Sequence, residues 1–348
     1  MRFLLRWLRR LVLLVVVVVI ALAAPIIYVE TSCKGTAQPQ SYASLLPPDH
    51  HRPETRTLMT YPEWHIVHAY DDYAKVISTG DPHDYGFWQG ITGFWTSLCA
   101  LTENASAHGE IDWPTKQMVY VIGTSFTAEL AMKAAYEETV GRLFAALREP
   151  DRAPLDDLSA RQASAYAEFL QQVPWYKWPF AEDAQALLEQ STGSLRDSER
   201  AIALGLEYTA KDAYAGAIEQ AVAQVGTDEL TLRMILTADE DITGYTDVKV
   251  IAIRPEGTEV ETPRYRTLTN LLAQMARDGL EVVEIAGNDD IMFTAISDQP
   301  TTAGSVFSTP RQGYGDYRHL IVVKVPALLE TLRQLESSGL TLEHVHDY

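Results

Sequence analysis

Positive charge is scarce in this chain once its first 35 residues are passed. Those residues hold five of the 28 Lys and Arg and one of the 47 Asp and Glu, which leaves 23 basic groups against 46 acids in the remainder. A surface of that sign repels polyphosphate, so no nucleic acid is expected as a partner; it attracts cations or a basic surface instead. Cysteine is scarcer still, with only Cys33 and Cys99. Two thiols rule out a disulfide-dense scaffold and a thiolate metal cluster. They leave two readings open, a bridge formed in an oxidising compartment or two unpaired thiols with Cys99 inside an aromatic helix. Signature motifs are missing too: there is no GxSxG elbow, Walker loop, HExxH, CxxC or strand–GxGxxG–helix. Gly313-Tyr314-Gly315 precedes a strand, not a helix, and Ser97 and Ser125 lie in helical patterns without a histidine at diagnostic spacing. These absences leave no catalytic role assigned and no cofactor indicated.

One long hydrophobic run is present, and it organises the rest. Residues 11–29 (LVLLVVVVVIALAAPIIYV) carry no charge. At about 1.5 Å per residue they span close to 30 Å as a helix, the thickness of a bilayer core. Arg2, Arg6, Arg9 and Arg10 make residues 1–10 a basic tail that holds the N-terminus in the cytoplasm, with Trp7 and Tyr28 near the two interfaces. The competing reading is a signal peptide cut after Ala21-Leu22-Ala23. The apolar run continues through Val29, and Pro25 sits just beyond that cut, which favours a retained anchor. Lipidation at Cys33 would need apolar and small residues where Glu30-Thr31-Ser32 stand. The expectation is a single-pass protein of the inner (plasma) membrane, in the bilayer through residues 11–29, with its acidic body periplasmic or extracellular.

Residues 30–56 form a stalk interrupted by Pro39, Pro47, Pro48 and Pro53, which predicts an extended connector. Residues 57–226 read as a helical domain. Thr60 caps a first helix running to Gly80, Tyr85–Thr102 is a second, and a long third helix from Asp112 carries Met118, Ile122, Phe126, Leu130, Val140, Phe144 and Leu147 on its apolar face, with Pro150 and Pro154 closing it. Tyr85–Thr102 is uncharged for 18 residues but holds Gln89, Thr92, Thr96 and Ser97, so a buried soluble helix is expected over a re-entrant segment. After Gly226-Thr227-Asp228 the period becomes extended, and residues 227–348 read as an α+β domain. Strands fit 229–237, 248–254, 280–286, 291–297, 319–325 and 340–346, with helices at 267–278 and 326–338. That order resembles a ferredoxin-like split βαβ unit with an added strand. The fold class is therefore a single N-terminal transmembrane helix, an α-helical domain, then a ferredoxin-like α+β domain. Fold analogy at this level implies no activity.

Three groups of side chains stand out as candidate sites. His65, His68 and Asp72 fall within roughly 60° of one another on the first helix, a face that can offer a metal two imidazoles and a carboxylate, with Glu129 or Glu137 of the long helix completing the shell. That face lies roughly 135° from Ile66, Tyr70, Tyr73 and Ile77, so it is expected to point largely to solvent. His344 and His346 alternate on the side of Leu340 and Leu342, on a rim expected to be shared with His319 and Asp316, at a terminus expected to fray. Asp298–Tyr317 reads as a long loop in which Arg311, with Arg318 just after it, offers an anionic ligand two rare positive charges. Three functions follow as alternatives: a membrane-tethered accessory or scaffold protein that binds a protein partner, a metal-dependent enzyme using His65, His68, Asp72 and Glu129, and a small-anion binding or sensor module using Arg311 and Arg318.

Overall fold

A computed structural model describes residues 2–36, 42–148, 151–225, 230–238 and 242–348. Pro39, Pro150 and the domain boundary expected at 226–227 lie outside the described residues. Helix α1 (Arg2–Ser32) is long and apolar enough to cross a membrane, a property that a signal sequence shares. Leu11 to Ile20 stand exposed along it. Its last turn does not: Val29 and Cys33 are buried, and Cys33 is disulfide-bonded to Cys99. Lys116 (3.0 Å) and Tyr120 (2.6 Å) both donate to the Glu30 carboxylate. The end of the apolar rod is thereby fixed to the body.

That body begins with α2 (Thr55–Ile77), α3 (Phe87–Ala105) and α4 (Trp113–Tyr136). α3, uncharged through Thr102, is a core helix, with Phe87, Ile91, Phe94, Leu98 and Leu101 buried. Gly123 of α4 is where it comes closest, since a Cβ there would lie 2.3 Å from the Phe94 ring. The expected apolar face of the third helix is partly misplaced. Val119, Phe126, Leu130 and Ala134 are buried, whereas Met118, Val140 and Leu147 are exposed. A π-helical turn at Glu137–Gly141 inserts extra rotation before α5 (Arg142–Leu147) and displaces Val140 and Leu147. Helices α6 (Pro154–Leu170), α7 (Phe180–Gln190) and α8 (Leu195–Val225) close this half. Arg200 of α8 is fully buried and grips Glu137 with both amino groups at 2.9 and 3.1 Å.

The strands divide between two four-stranded antiparallel sheets, where the sequence reading placed them in one ferredoxin-like unit. The first sheet, in the order β2-β3-β1-β4, contains β1 (Thr231–Leu236), β2 (Lys249–Arg254), β3 (Gly257–Pro263) and β4 (Val282–Ile285), with α9 (Tyr265–Asp278) linking β3 to β4. In the second, β5 (Asp290–Ser297), β6 (Ser305–Pro310), β7 (Tyr317–Lys324) and β8 (Thr341–His346) adopt the order β6-β7-β5-β8, with α10 (Val325–Gln334) before β8. The two units are the same strand–strand–strand–helix–strand arrangement used twice. Each last strand shifts register against the unit's first strand, between Ile235 and Leu236 and between Thr294 and Ala295. Each helical segment ends at a left-handed glycine, Gly279 and Gly339, followed by a leucine whose N–H reaches back to Met275 or Leu335. Glu284 and His344 consequently hold equivalent places, paired with Ile235 and Thr294.

Strands β3 and β6 are additions to the sequence reading. β3 is spoiled as a pattern by Glu259 and Glu261, whose charges are met by Arg233 and Arg254 from the strands on either side. β6 is a polar edge strand inside the stretch read as a long loop. The stalk also differs from an extended connector, because Tyr42, Ser44 and the N–H groups of Leu45 and Leu46 all donate to the buried Glu284 carboxylate at 2.5–3.0 Å.

Candidate functional site

The face of α2 that was expected to be wet is the seam between the two halves. His65, His68 and Asp72 are all buried, at 8, 6 and 6% exposure. They do not act as one set. His65 turns into the helical core, its Nε2 3.0 Å from the Gly90 carbonyl and its ring edge-on to Phe94 and Phe126. Burial pushes its pKa down to about 4. Glu129 is engaged elsewhere, by Lys211 at 2.8 Å and the Tyr70 hydroxyl at 2.6 Å. Glu137 belongs to Arg200.

His68 and Asp72 face the C-terminal unit. His68 Nε2 stands 3.6 Å from the Glu343 carboxylate, and Asp72 accepts the Gln312 N–H at 3.0 Å. Burial raises Asp72 to about 7, against the pull of Arg318 and that hydrogen bond. Trp64, one turn before His68, stacks on His344 with ring centroids 3.6 Å apart, and Tyr61 lies 5.6 Å from His346. The sequence reading kept the two histidine groups apart; the fold joins His68 to His344 and His346.

The register shift explains how strand β8 presents them. Glu343 is skipped in the pairing with β5, so alternation fails there. Leu340 and Val345 pack into the α+β core, and Leu342 packs against it, while Glu343, His344 and His346 all reach α2. The imidazoles are therefore not on the side of Leu340 and Leu342. Nor do His346 and His319 share a rim. β7 and β8 both run antiparallel to β5, so the end of β8 and the start of β7 lie at different ends of the sheet, with His346 across from Met292 and His319 across from Ala295. His319 instead contacts Ser297 and Ser308, each at 2.9 Å. The terminus is not frayed: Tyr348 is fully buried, and its carbonyl accepts from Arg52 (3.2 Å) and Arg264 (2.7 Å).

Electrostatically the seam is one balanced ion pair set among neutral imidazoles. Arg318 is 2% exposed and binds Glu343 through two contacts of 2.5 and 2.7 Å. Arg318 holds the Glu343 carboxyl well below the usual carboxylate range. Burial drives His68 and His344 well below the ordinary histidine value, and His346 down to about 3. Thr269 accepts the Val345 N–H at 3.0 Å, and its hydroxyl stands 3.1 Å from His344 Nδ1. The buried polar atoms at the seam without a hydrogen-bond partner include the Tyr61 hydroxyl, His68 Nε2, Asp72 Oδ1, His344 Nε2 and both nitrogens of His346.

These atoms do not converge as a metal's ligands would. Among the described residues, three His/Cys/Asp/Glu groups bring their donor atoms mutually within 4.8 Å, and none contains a seam residue. The arginines are also committed, Arg318 to Glu343, and Arg311 to Asp316 (3.0 Å) while stacked 3.7 Å over Tyr314. Chemically, the seam can clamp two halves together and respond to protons. No family model, curated protein or solved structure matches the chain.

Proposed function

We propose that this chain is a membrane-tethered scaffold that binds a protein partner, presenting an apolar helix face at a fixed distance from the bilayer. The observation that carries the reading is the outward side of α8. Leu195, Ile202 and Leu206 are 59, 66 and 69% exposed. They fall within roughly 40° of one another and opposite the buried Arg200. Ser198, Thr209 and Ala213 lie in the same sector, and the acid at its edge, Glu199, is buried and paired with Arg196 and Arg200, so the exposed stripe carries no charge on a body with twice as many acids as bases. Three large aliphatic side chains in one exposed stripe mark a docking surface. Its occupant is an apolar helix of the partner. A helix follows the stripe's own spacing, and Gly205 and Gly216 at its margin have open space where a Cβ would point, which admits a close backbone approach.

Support for the tether comes from α1 and its fixed end. A disulfide at Cys33–Cys99 fits an oxidising compartment, hence a body outside the cytoplasm. The anion-sensor and enzyme readings have less behind them, because both arginines are already paired and the histidine seam is closed.

The test is photo-crosslinking of the full chain in its membrane, with the reactive side chain placed at Ile202 or Leu206 and, as a control, at the equally exposed Leu188 of α7. The expected result is one adduct of defined mass from both α8 positions, lost in an Ile202→Glu/Leu206→Glu variant that unfolds at the wild-type temperature. No adduct, or the same adduct from Leu188, would overturn the reading.

A further inference from the structure

Away from the seam, another group of side chains does converge. Glu54 is the residue before α2 and is 5% exposed; His108 ends the turn linking α3 to α4; Asp290 opens β5. His108 Nδ1 lies 3.5 Å from Glu54 Oε2 and 3.8 Å from Asp290 Oδ2. All three donor atoms fall mutually within 4.8 Å. Ligands at about 2.0–2.2 Å from a tetrahedral zinc ion stand about 3.4 Å apart, so the two distances from His108 are already within a few tenths of an ångström of that spacing.

The charge balance points the same way. Asp289 adds a third carboxylate, and the positive charge paired with it is Lys324, which bridges Asp289 at 3.0 Å and Asp290 at 2.5 Å from an exposed position. Glu54 receives the Asp290 N–H through its other oxygen, which fixes the carboxylate's orientation. We infer that Glu54, His108 and Asp290 form a binding site for a borderline divalent cation of the Zn²⁺ type. One imidazole with two carboxylates suits zinc better than magnesium or calcium, which favour oxygen alone. When the ion binds, His108 gives up any proton it holds, Lys324 keeps Asp289, and a water completes the shell. The ion would bind together three separate segments: the α3–α4 connection beside the membrane helix, the start of α2 and the first strand of the C-terminal unit.

The experiment uses the full chain in detergent, stripped with EDTA and titrated with Zn²⁺ by calorimetry, then with Co²⁺ to read visible absorption. Expected are one Zn²⁺ per chain, a raised unfolding temperature and a Co²⁺ d–d band. His108→Ala and Asp290→Asn each weaken binding by at least about tenfold, whereas Lys324→Ala strengthens it, a gain that a purely structural cluster would not give. A His68→Ala/His344→Ala variant binds as the wild type does. Failure of Zn²⁺ to bind, binding unchanged in both His108→Ala and Asp290→Asn, or binding lost only in the His68→Ala/His344→Ala variant would overturn the assignment.

Discussion

The two halves of the α+β region are built alike and used differently. Each ends in a strand with a register shift, and each places one polar residue just past it. In the first unit that residue is Glu284, a charged acceptor that gathers four donors from the stalk. In the second it is His344, a neutral ring that stacks on Trp64 and leaves Nε2 without a partner. The same fold thus makes a polar clasp on one side and an aromatic clamp on the other. A strand bulge fixes where a side chain points; its chemistry decides what it holds, and under which conditions.

Acid should separate the two most strongly. His65, His68, His344 and His346 are held neutral, each with a pKa below its unfolded value near 6.5. Unfolding therefore takes up protons below that pH, and the stability present above it is lost as pH falls. Between pH 7 and pH 5 each histidine costs about 2 kcal/mol. Asp72 runs the other way: its raised pKa lets the folded chain take up a proton first, returning about 2 kcal/mol over the same interval. The four histidines outweigh Asp72, so the net effect of acid is a loss of stability. Chemical denaturation across this range checks it, and a flat profile would refute the neutral seam. His108, raised by its bond to Glu54, contributes in the opposite sense: its stabilisation is present below about 6.5 and fades as pH rises through its folded value.

Trp64→Ala comes next, removing the ring that fills the clamp, at a cost of about 4 kcal/mol in denaturant unfolding. Glu284→Ala should cost about 3 kcal/mol, since it strands the Leu45 and Leu46 N–H groups beside a buried site. Glu284→Gln keeps an acceptor and should cost about 1 kcal/mol. If Trp64→Ala proved milder than Glu284→Gln, the clamp would be incidental packing.

Much of this was legible in the sequence. A 19-residue apolar run, the helical punctuation and the switch to an extended period located the long apolar helix and the order of helices before strands. The seam was hidden for a specific reason. Helical periodicity identifies which residues share a face of α2, but not that a strand far later in the chain, with Glu343 against His68, will cover it, so a buried face of histidine and aspartate reads as a wet one. β-strand alternation placed His344 and His346 together correctly, yet the bulge at Glu343 moved them off the leucine side. The duplication escaped notice because the units share only a Gly-Leu pair at the helix end and differ at the residue each strand presents. The π-turn at Glu137–Gly141 likewise leaves no mark in an apolar repeat, apart from the exposed Val140 and Leu147 that it displaces.

The claim underlying all of this is that the seam makes the helical half and the C-terminal unit one body. Hydrogen exchange at neutral pH, read at the Val345 and His346 amides and along residues 61–72, measures it directly. The account predicts that both stretches open together, at the free energy of global unfolding, and that both lose protection at pH 5 before residues 42–46 do. Independent opening of β8 while α2 stays protected would contradict it.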